Sequence, residues 1–338
     1  EESQLLRQAN LYYQHGWLRG GVKYDLVDFD TRQEVTLAEL TETAFVADLR
    51  KGGYFLEAEQ KWNDWSLYAG LRYEAYRART QVQETVGTNG YRGFFPSLSL
   101  TYAPSEASWQ VTYSRRLDRP GFFDLVPLVT YNSPVARETG NPFLLPEIND
   151  RWELTCRRST DRLALSGTAF YDGKDNLIQT VISQPTPEIL LLRPENQGSR
   201  TAWGVEGSVE LNGAWWSTQL TGNASRSRFL RDNVRGGTSR LRLRQEFSLL
   251  RAWTVQLIGL LRGRSQTLWQ TQRGYLTTDL VLTKRFGEGG GTLTLRAQDI
   301  FDQRIYEYTV VQDGLRETQT YKWQTRRLSL NLRWPLTL

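Results

Sequence analysis

Apolar and polar residues alternate one by one along most of this sequence, and this period of two constrains the fold more than any other feature. From 97 to 102, Leu98, Leu100 and Tyr102 alternate with serine and threonine. Successive side chains of a β-strand point to opposite faces, so such a segment has one apolar and one polar face. The pattern returns at 109–114, 152–157, 163–166, 203–210, 240–247 and 327–334. The sequence therefore predicts an all-β chain.

Two all-β architectures produce this alternation, a soluble antiparallel sandwich and a transmembrane barrel. Segments such as 66–83 and 203–211 with their flanks run past the roughly five or six residues that are usual in globular strands. Their polar face carries Arg, Glu, Gln and Ser, and their apolar face carries Trp, Tyr and Leu. A lipid-facing exterior around a wet lumen accounts for both faces together. We therefore predict a transmembrane antiparallel up-and-down β-barrel.

Composition is consistent with a barrel and excludes a helical membrane protein. The chain is 39% apolar and 23% charged, its mean hydropathy is −0.53, and no stretch approaches the roughly 18 to 20 apolar residues that a membrane helix requires. Aromatic residues make up 12% of the chain, with 12 Trp and 16 Tyr. Such a content is typical of a barrel with aromatic girdles at the membrane interfaces.

Short turns and longer links alternate along the chain, as they do in outer-membrane barrels, where the short turns face the periplasm. The predicted short turns lie at His15–Gly16, Asn63–Asp64, Pro104–Glu106, Ser159–Asp161, Asn212–Ala214 and Gly287–Gly290. The predicted longer links lie at Asp30–Glu42, Glu84–Gly90, Leu117–Asn149, Arg231–Gly237 and Leu268–Gln272. These boundaries give roughly fifteen strands, within a range of about 14 to 16.

The strand count is odd, whereas bacterial single-chain barrels have an even number of strands with both termini in the periplasm. If Leu5–His15 is a strand, the chain starts on the extracellular side. Either one strand is misread or an N-terminal part of the parent protein is absent, and the lack of an export signal at Glu1 favours the second. We expect residues 1–338 to form one barrel domain, the C-terminal portion of a larger receptor.

Several motifs resemble the barrel domain of TonB-dependent receptors, particularly the outer-membrane barrel family common in Bacteroidetes-type bacteria. They fall in the order of that family and cover most of residues 44–334. In sequence order they are Gly70–Glu74 (GLRYE), Phe95–Tyr102 (FPSLSLTY), Tyr113–Pro120 (YSRRLDRP), Gly140–Glu147 (GNPFLLPE), Glu195–Gly198 (ENQG) with Trp203–Glu206 (WGVE), and Asp299–Asp302 (DIFD).

The resemblance implies an energised importer in the outer membrane of a Gram-negative cell, whose partners are membrane lipid, a plug domain and the TonB complex. This sequence departs from that pattern: it has no plug or TonB-contact segment, fewer strands than the roughly 22 of plugged transporters, and Trp334 four residues before its end. An alternative therefore stays open. It is a plug-free diffusion pore or a scaffold barrel for other envelope proteins, and the absence of Met is compatible with a shortened or redesigned chain.

The longest predicted loop, Leu117–Asn149, contains the candidate ligand contacts. They are Arg119, Phe122, Phe123, Asp124, Tyr131 and Arg137. Long extracellular loops carry specificity, so these aromatic and charged side chains are predicted to meet ligand above the pore. The alternative is a protective lid that the five prolines of this loop stiffen.

A second candidate site is a set of charged residues on the polar, lumen-facing side of the strands. They are Arg240, Arg242, Arg244, Glu246, Arg327 and Arg333. Arginines in a pore favour anions and acidic ligands. The competing interpretation is ion pairing with Glu246, Glu206, Glu210, Glu57 and Glu59, and we favour it because confined charges are normally paired.

The residues give little support to an enzyme, a metal-binding protein or a nucleic-acid-binding protein. His15 is the single histidine and lies at a predicted turn, which leaves no credible catalytic constellation and no metal site; we expect neither an enzyme nor a cofactor. The net charge of +5 comes from arginines spread along strands, which does not indicate nucleic-acid binding. The single cysteine, Cys156, shares a face with Trp152 and Leu154 and is predicted to face lipid.

Overall fold

Most residues that the structure describes belong to β-strands, which confirms the predicted all-β fold. The structure is a computed structural model, and it describes residues 2–33, 43–82, 85–127, 129–133, 136–229, 234–249, 252–267, 270–287, 290–312 and 315–335. Within these residues the single helix, α1 (Phe122–Leu125), has four residues. No helix of the described chain has the length and apolarity needed to cross a membrane.

The strands are numbered in chain order. The first twelve are β1 (Glu2–His15), β2 (Leu18–Gln33), β3 (Thr43–Trp62), β4 (Trp65–Val82), β5 (Thr85–Tyr102), β6 (Ala107–Asp118), β7 (Thr130–Ser133), β8 (Ala136–Glu138), β9 (Glu147–Ser159), β10 (Leu163–Asp175), β11 (Ile178–Thr186) and β12 (Ile189–Asn196).

The remaining strands lie in the C-terminal part of the chain. They are β13 (Arg200–Asn212), β14 (Trp216–Phe229), β15 (Val234–Leu249), β16 (Trp253–Arg262), β17 (Ser265–Gln266), β18 (Gln270–Gln272), β19 (Tyr275–Arg285), β20 (Thr292–Gln298), β21 (Tyr306–Gln312), β22 (Leu315–Tyr321) and β23 (Arg327–Arg333).

The chain divides into two compact units. The first consists of Glu1–Thr101, Val111–Trp152 and Asp172–Thr201. In it, β1, β2, β3 and β4 form a continuous antiparallel meander, with Val22 paired to both Leu11 and Tyr54. The same unit contains a small sheet in which β11 pairs with β12, β12 runs parallel to β8, and β8 pairs with β7.

The second unit consists of Tyr102–Gln110, Glu153–Tyr171 and Ala202–Leu338. Here β14, β15, β16, β19, β20 and β23 pair in that order, all antiparallel. A side branch leaves this ladder: β15 also pairs with β17, and β18 connects β17 to β21, which pairs with β22. The predicted antiparallel pattern is confirmed in both units, except that β12 runs parallel to β8 in the first.

The number of long strands in the described chain agrees with the predicted count of roughly fifteen. Eight short or hairpin strands lie in pairs within four long connections, namely β7 with β8, β11 with β12, β17 with β18, and β21 with β22. Without these pairs, fifteen strands remain. Their connections do not alternate strictly in length, because β4 and β5 are joined by two residues where a long link was predicted. The sequence missed the four inserted pairs because none of them carries a long apolar alternation.

Four predicted long links are wrong in their extent, since strands begin inside them. β7, β8 and β9 begin within Leu117–Asn149, and β18 lies within Leu268–Gln272. β5 already begins at Thr85 within the predicted link Glu84–Gly90, and a Cβ on Gly90 would lie 3.1 Å from the backbone carbonyl of Tyr76. β15 begins at Val234 within the predicted link Arg231–Gly237, where its residues pair with β14. Pairing with a neighbouring strand therefore keeps these glycine-containing segments extended. Residues 34–42 of the predicted link Asp30–Glu42 lie outside the described residues.

Four of the six predicted short turns contain a residue in the left-handed backbone region, which tight hairpins often require. Gly16, Asn63, Ser105 and Gly287 have φ values of 55°, 50°, 52° and 65°. Only glycine, and to a lesser extent asparagine, adopts this conformation at little cost. The turn residues thus fix where these hairpins reverse, as the sequence predicts.

The apolar face of the strands is exposed, and this excludes the sandwich alternative. Leu98 and Leu100 on β5, and Trp152 and Leu154 on β9, are all exposed large apolar residues. A sandwich would bury this face in a core about 10 Å thick. Exposed apolar faces of this kind fit a surface that meets lipid.

Tryptophan residues cluster beside the short turns. Trp17 lies in the first turn, Trp62 and Trp65 flank the second, and Trp215 and Trp253 lie at later ones. Tryptophan is enriched where a membrane meets water, because its ring is apolar and its N–H is polar. Within each unit, the short-turn ends of the strands are therefore expected to lie at a membrane interface, which supports the predicted aromatic girdle.

Cys156 is half-buried and follows Leu154 by two positions on β9, so it lies on the same strand face. We expect slow reaction of Cys156 with a water-soluble maleimide in intact membranes, because lipid covers this face. A matched control places cysteine at Ser166, on the polar side of β10, in a Cys156→Ser background. Rapid labelling of Cys156, equal to that of the control, contradicts the placement.

Candidate functional site

The connection between β6 and β9 is a packed assembly and not an open loop. Leu125, Val126, Leu144 and Pro146 are buried, and Leu144 is 0% exposed. Gly140 donates its N–H to the carbonyl of Val126 at 3.0 Å. A Cβ at Gly140 would lie 2.3 Å from that carbonyl oxygen, so only glycine permits this approach. The segment therefore has a small core of its own.

Two asparagines connect this segment, which we call the loop assembly (residues 119–146), to the end of β12. The buried Asn141 donates through Nδ2 to the carbonyl of Pro194 at 3.0 Å. The Asn196 side chain accepts from the N–H of Leu145 at 2.8 Å and donates to its carbonyl at 2.9 Å. Both asparagines belong to the motifs GNPFLLPE and ENQG. These motifs thus have a structural role, because each places an amide against the backbone of the other segment.

A lysine joins the strands at the base of the loop assembly. The Lys174 ammonium donates to Glu147 Oε2 at 2.7 Å and to Asp118 Oδ2 at 3.2 Å. Glu147 Oε1 accepts the N–H of Ile178 at 2.8 Å. The ends of β6, β9, β10 and β11 are therefore held together by one charged network.

Arg119, a predicted ligand contact, forms an ion pair with Glu74 on β4. Glu74 is buried, and its second oxygen lies 3.5 Å from Nε of Arg72. The Arg119 guanidinium also lies 5.6 Å from the centroid of the Tyr76 ring, within cation–π range. These contacts anchor the start of the loop assembly to the strand wall of the first unit.

The other predicted loop contacts occupy different environments. Phe123 is 82% exposed in α1, and Asp124 accepts the N–H of Gly121 at 2.8 Å, which stabilises the first turn of that helix. Arg137 is exposed on β8. The side chains of Phe122 and Tyr131 lie outside the described residues.

Sequence reasoning missed Phe143, which is 63% exposed beside the buried Leu144. Residues 143–146 are all apolar in the sequence, so no local pattern indicates that Phe143 is exposed and Leu144 is buried. Phe123 and Phe143 both present apolar rings on a segment that hydrogen bonds hold in place.

The arginines that the sequence grouped as one candidate site do not lie together in the second unit. Arg240 pairs in register with Asn223, and Arg242 pairs with Thr221. Both arginines line a polar groove of about 560 Å³. Its other lining residues are Arg157, Ser166, Thr168, Glu206, Gly207, Thr221, Gly222 and Asn223. Arg327 and Arg333 lie on β23, opposite Gln298 and Thr292, and do not line this groove.

Ion pairing accounts for only one of these arginines. Arg244 lies 3.4 Å from Glu246, as the pairing interpretation predicts. Two other predicted partners pair elsewhere, Glu57 with Arg19 at 3.5 Å and Glu59 with Lys61 at 2.8 Å. In the described part of the chain, the ion pairs include neither Arg240 nor Arg242. The groove therefore has an excess of positive charge.

Solved structures with a similar fold include an uptake receptor and two transporters. The ferric yersiniabactin uptake receptor FyuA from Yersinia pestis matches with a TM-score of 0.66 at 15% identity, over 98% of this chain and 54% of its own. The ferric citrate transporter FecA in its unliganded form matches with a TM-score of 0.67 at 12% identity, over 98% and 54%. The FrpB iron transporter from Neisseria meningitidis, F5-1 variant, matches with a TM-score of 0.60 at 12% identity, over 94% and 56%.

This chain thus spans about half the length of the structures that it resembles. At such low identity the likeness concerns the fold, and it confirms the predicted resemblance to the barrel of TonB-dependent receptors. The three structures are named as an uptake receptor and two transporters. Comparison with curated proteins gives no match.

The family model described as outer membrane protein beta-barrel family matches residues 16–334, almost the whole chain. This match agrees with the antiparallel strands, the exposed apolar face and the tryptophans beside the short turns. The chain belongs to the outer membrane protein beta-barrel family, and its place is the outer membrane of a Gram-negative cell.

Proposed function

We propose that this chain forms the barrel wall of a TonB-dependent receptor that imports an extracellular ligand. The observation that carries the proposal is the loop assembly, in which residues of GNPFLLPE and ENQG hold one another in place. A rigid loop that exposes Phe123 and Phe143 suits ligand capture, because little ordering entropy is lost on binding. A pore for passive diffusion has no need of such a surface.

The partners follow from the same proposal. Since the chain spans about half of its structural relatives, the complete receptor would contain a plug domain that fills the barrel and a segment that contacts the TonB complex. Residues 1–338 are then one barrel domain, the C-terminal portion of that receptor. The three relatives transport iron or ferric complexes by their names, but the ligand of this receptor is left open.

Uptake by cells tests this function. Cells that carry the complete receptor and cells that lack it would be compared for depletion of solutes from a defined medium, with and without a protonophore. We expect some solute to be depleted only by receptor-bearing cells, and only while the proton gradient is intact. Depletion that persists with the protonophore contradicts energised import and supports a diffusion pore.

The alternative of a plug-free pore has one observation in its favour, the groove lined by Arg240 and Arg242. Unpaired cations on a pore wall attract anions. We expect the pair of substitutions Arg240→Gln and Arg242→Gln to lower the chloride-over-potassium permeability ratio by about twofold or more. The reversal potential in a salt gradient measures this ratio.

A control for the arginine substitutions is Arg327→Gln with Arg333→Gln, which removes the same charge outside the groove. If both pairs of substitutions shift the reversal potential equally, net charge and not the groove sets the selectivity. An unchanged ratio in the Arg240 and Arg242 variant excludes a role of the groove in anion passage.

A further inference from the structure

Three arginines lie on the apolar face of β14 and β15 in the second unit. Arg228 is directly opposite Arg235 in the pairing of these strands, and Arg226 lies two positions before Arg228 on the same face. Leu220 and Leu243 form another pair of this face, which identifies it as the apolar one. We call Arg226, Arg228 and Arg235 the arginine cluster.

Two members of the arginine cluster have no acidic partner in the part of the chain that the structure describes. Arg226 and Arg235 are both exposed, and the ion pairs of this part include neither of them. They are diagonal neighbours across the strand pair, with Cα atoms about 7 to 8 Å apart, a distance that long side chains can bridge. One anion can therefore contact both guanidinium groups, and a phosphate matches the planar set of donors on arginine.

The position of the cluster along β14 corresponds to the far side of a membrane. Trp216 pairs with Phe247 on the same face, beside the short turn. The ten positions from Trp216 to Arg226 span about 33 Å along the strand, or about 25 Å along the membrane normal at a tilt of about 40°. The apolar band of outer-membrane barrels is about 25 Å tall. Trp216 and Arg226 are therefore expected at opposite interfaces.

No charged residue lies between these two ends on the apolar face of either strand. The intervening residues are Thr218, Leu220, Gly222 and Ala224 on β14, and Gly237, Ser239, Leu241, Leu243 and Gln245 on β15. A charge on a lipid-facing side is costly at the midplane of the bilayer and much less so near its interfaces. The arginine cluster is thus expected at the level of the lipid headgroups.

An apolar groove of about 450 Å³ adjoins the cluster on this face. Its lining includes Val205, Gly222, Ala224, Ser239, Leu241 and Leu261. A Cβ at Gly222 would lie 2.9 Å from Cδ1 of Leu241, so the leucine leans across the space that the glycine leaves open. Ala224 lies two positions from Arg226, about 7 Å along the strand. The groove therefore ends close to the arginine cluster.

We propose that the arginine cluster and the apolar groove bind one phosphorylated membrane lipid, with its phosphate on Arg226 and Arg235 and an acyl chain in the groove. Basic clusters at the membrane surface attract anionic headgroups, and the groove offers an acyl chain apolar contacts beside them. A free phosphate would gain nothing from the groove, and an uncharged lipid would gain nothing from the arginines. The site lies on the outer wall, apart from the loop assembly, so it holds a membrane component and not a transported solute.

The test is a titration of the purified, delipidated chain in a neutral detergent with dioleoyl phosphatidic acid, followed by native mass spectrometry. We expect saturable binding of one lipid, and a loss of affinity of about tenfold or more in Arg226→Gln with Arg235→Gln, because two charge-assisted contacts are removed. Arg226→Lys with Arg235→Lys keeps both charges and is expected to bind more tightly than the glutamine variant. The control is Arg327→Gln with Arg333→Gln, which removes the same charge from the polar face of β23.

A separate variant tests the groove. Ala224→Phe fills it with a ring, and Ala224 is exposed on the apolar face, so the chain is expected to fold and to remain heat-modifiable. We expect its affinity for dioleoyl phosphatidic acid to fall about threefold or more, because the acyl chain loses apolar contacts. Unchanged affinity would show that the groove does not hold the chain of the lipid.

Three further outcomes contradict this proposal. They are equal affinity for dioleoylglycerol, which lacks the phosphate, equal affinity for glycerol phosphate, which lacks the acyl chains, and unchanged lipid binding by the glutamine variant. The first would indicate lipid contact without a site, and the second would indicate a site for free phosphate. Lipid binding is measured on the purified chain and uptake on cells, so either proposal can fail without the other.

Discussion

Replacement of Arg119 by alanine is expected to lower the free energy of unfolding by about 3 to 5 kcal/mol, the usual cost of leaving one charge of a buried pair without its partner. Glu74 is buried on β4, and Arg119 is the residue of the loop assembly that neutralises it. Arg72 lies 3.5 Å from the same carboxylate, so the loss is expected towards the lower end of this range.

Urea unfolding of the folded chain in detergent, followed by tryptophan fluorescence, measures this change. The matched control is Arg116→Ala on β6, three residues before Arg119, because Arg116 is exposed. Its effect is expected within about 0.5 kcal/mol. The double variant Glu74→Gln with Arg119→Met is expected to regain part of the stability, since it removes both charges. Equal effects of Arg119→Ala and Arg116→Ala would show that the pair does not anchor the loop assembly.

Substitution of Leu144 by alanine is expected to open the loop assembly. Leu144 is completely buried, and removal of a buried leucine side chain costs about 2 to 5 kcal/mol when the surroundings cannot collapse. Leu144 belongs to the small core of the loop assembly, so the loss is expected to be local. It corresponds to a local opening constant that rises about 30-fold or more.

Hydrogen exchange of the peptides from 121 to 146 measures this opening. Leu145→Ala is the control, since its side chain is the exposed neighbour of Leu144 and the same atoms are removed. We expect faster exchange in Leu144→Ala and unchanged exchange in Leu145→Ala. Unchanged exchange in both variants would mean that the segment is not held by its own core.

The strands could be predicted because the information that defines them is local. Residues 97–102 reveal their two faces through immediate neighbours, and Asn63 with Asp64 marks a turn by its own chemistry. The strand pairs inside the long connections could not be predicted. β12 runs parallel to β8, and its pairing depends on residues more than fifty positions away.

The candidate site was predictable only in part, for the same physical reason. The long loop was identified as the place of candidate contacts, but the partner of Arg119 lies far away in sequence, at Glu74, and no local pattern indicates it. Whether one of these arginines forms an ion pair depends on which carboxylate lies beside it. This cannot be read from the sequence without the register of β14 and β15.

Single-channel conductance of the purified chain in a planar bilayer tests most directly whether this polypeptide is the wall of a transporter. The account predicts large and steady openings, because a wall whose plug is supplied by another part of the receptor leaves a wet lumen. A folded, heat-modifiable chain that inserts into the bilayer and stays silent would contradict it and support a scaffold barrel.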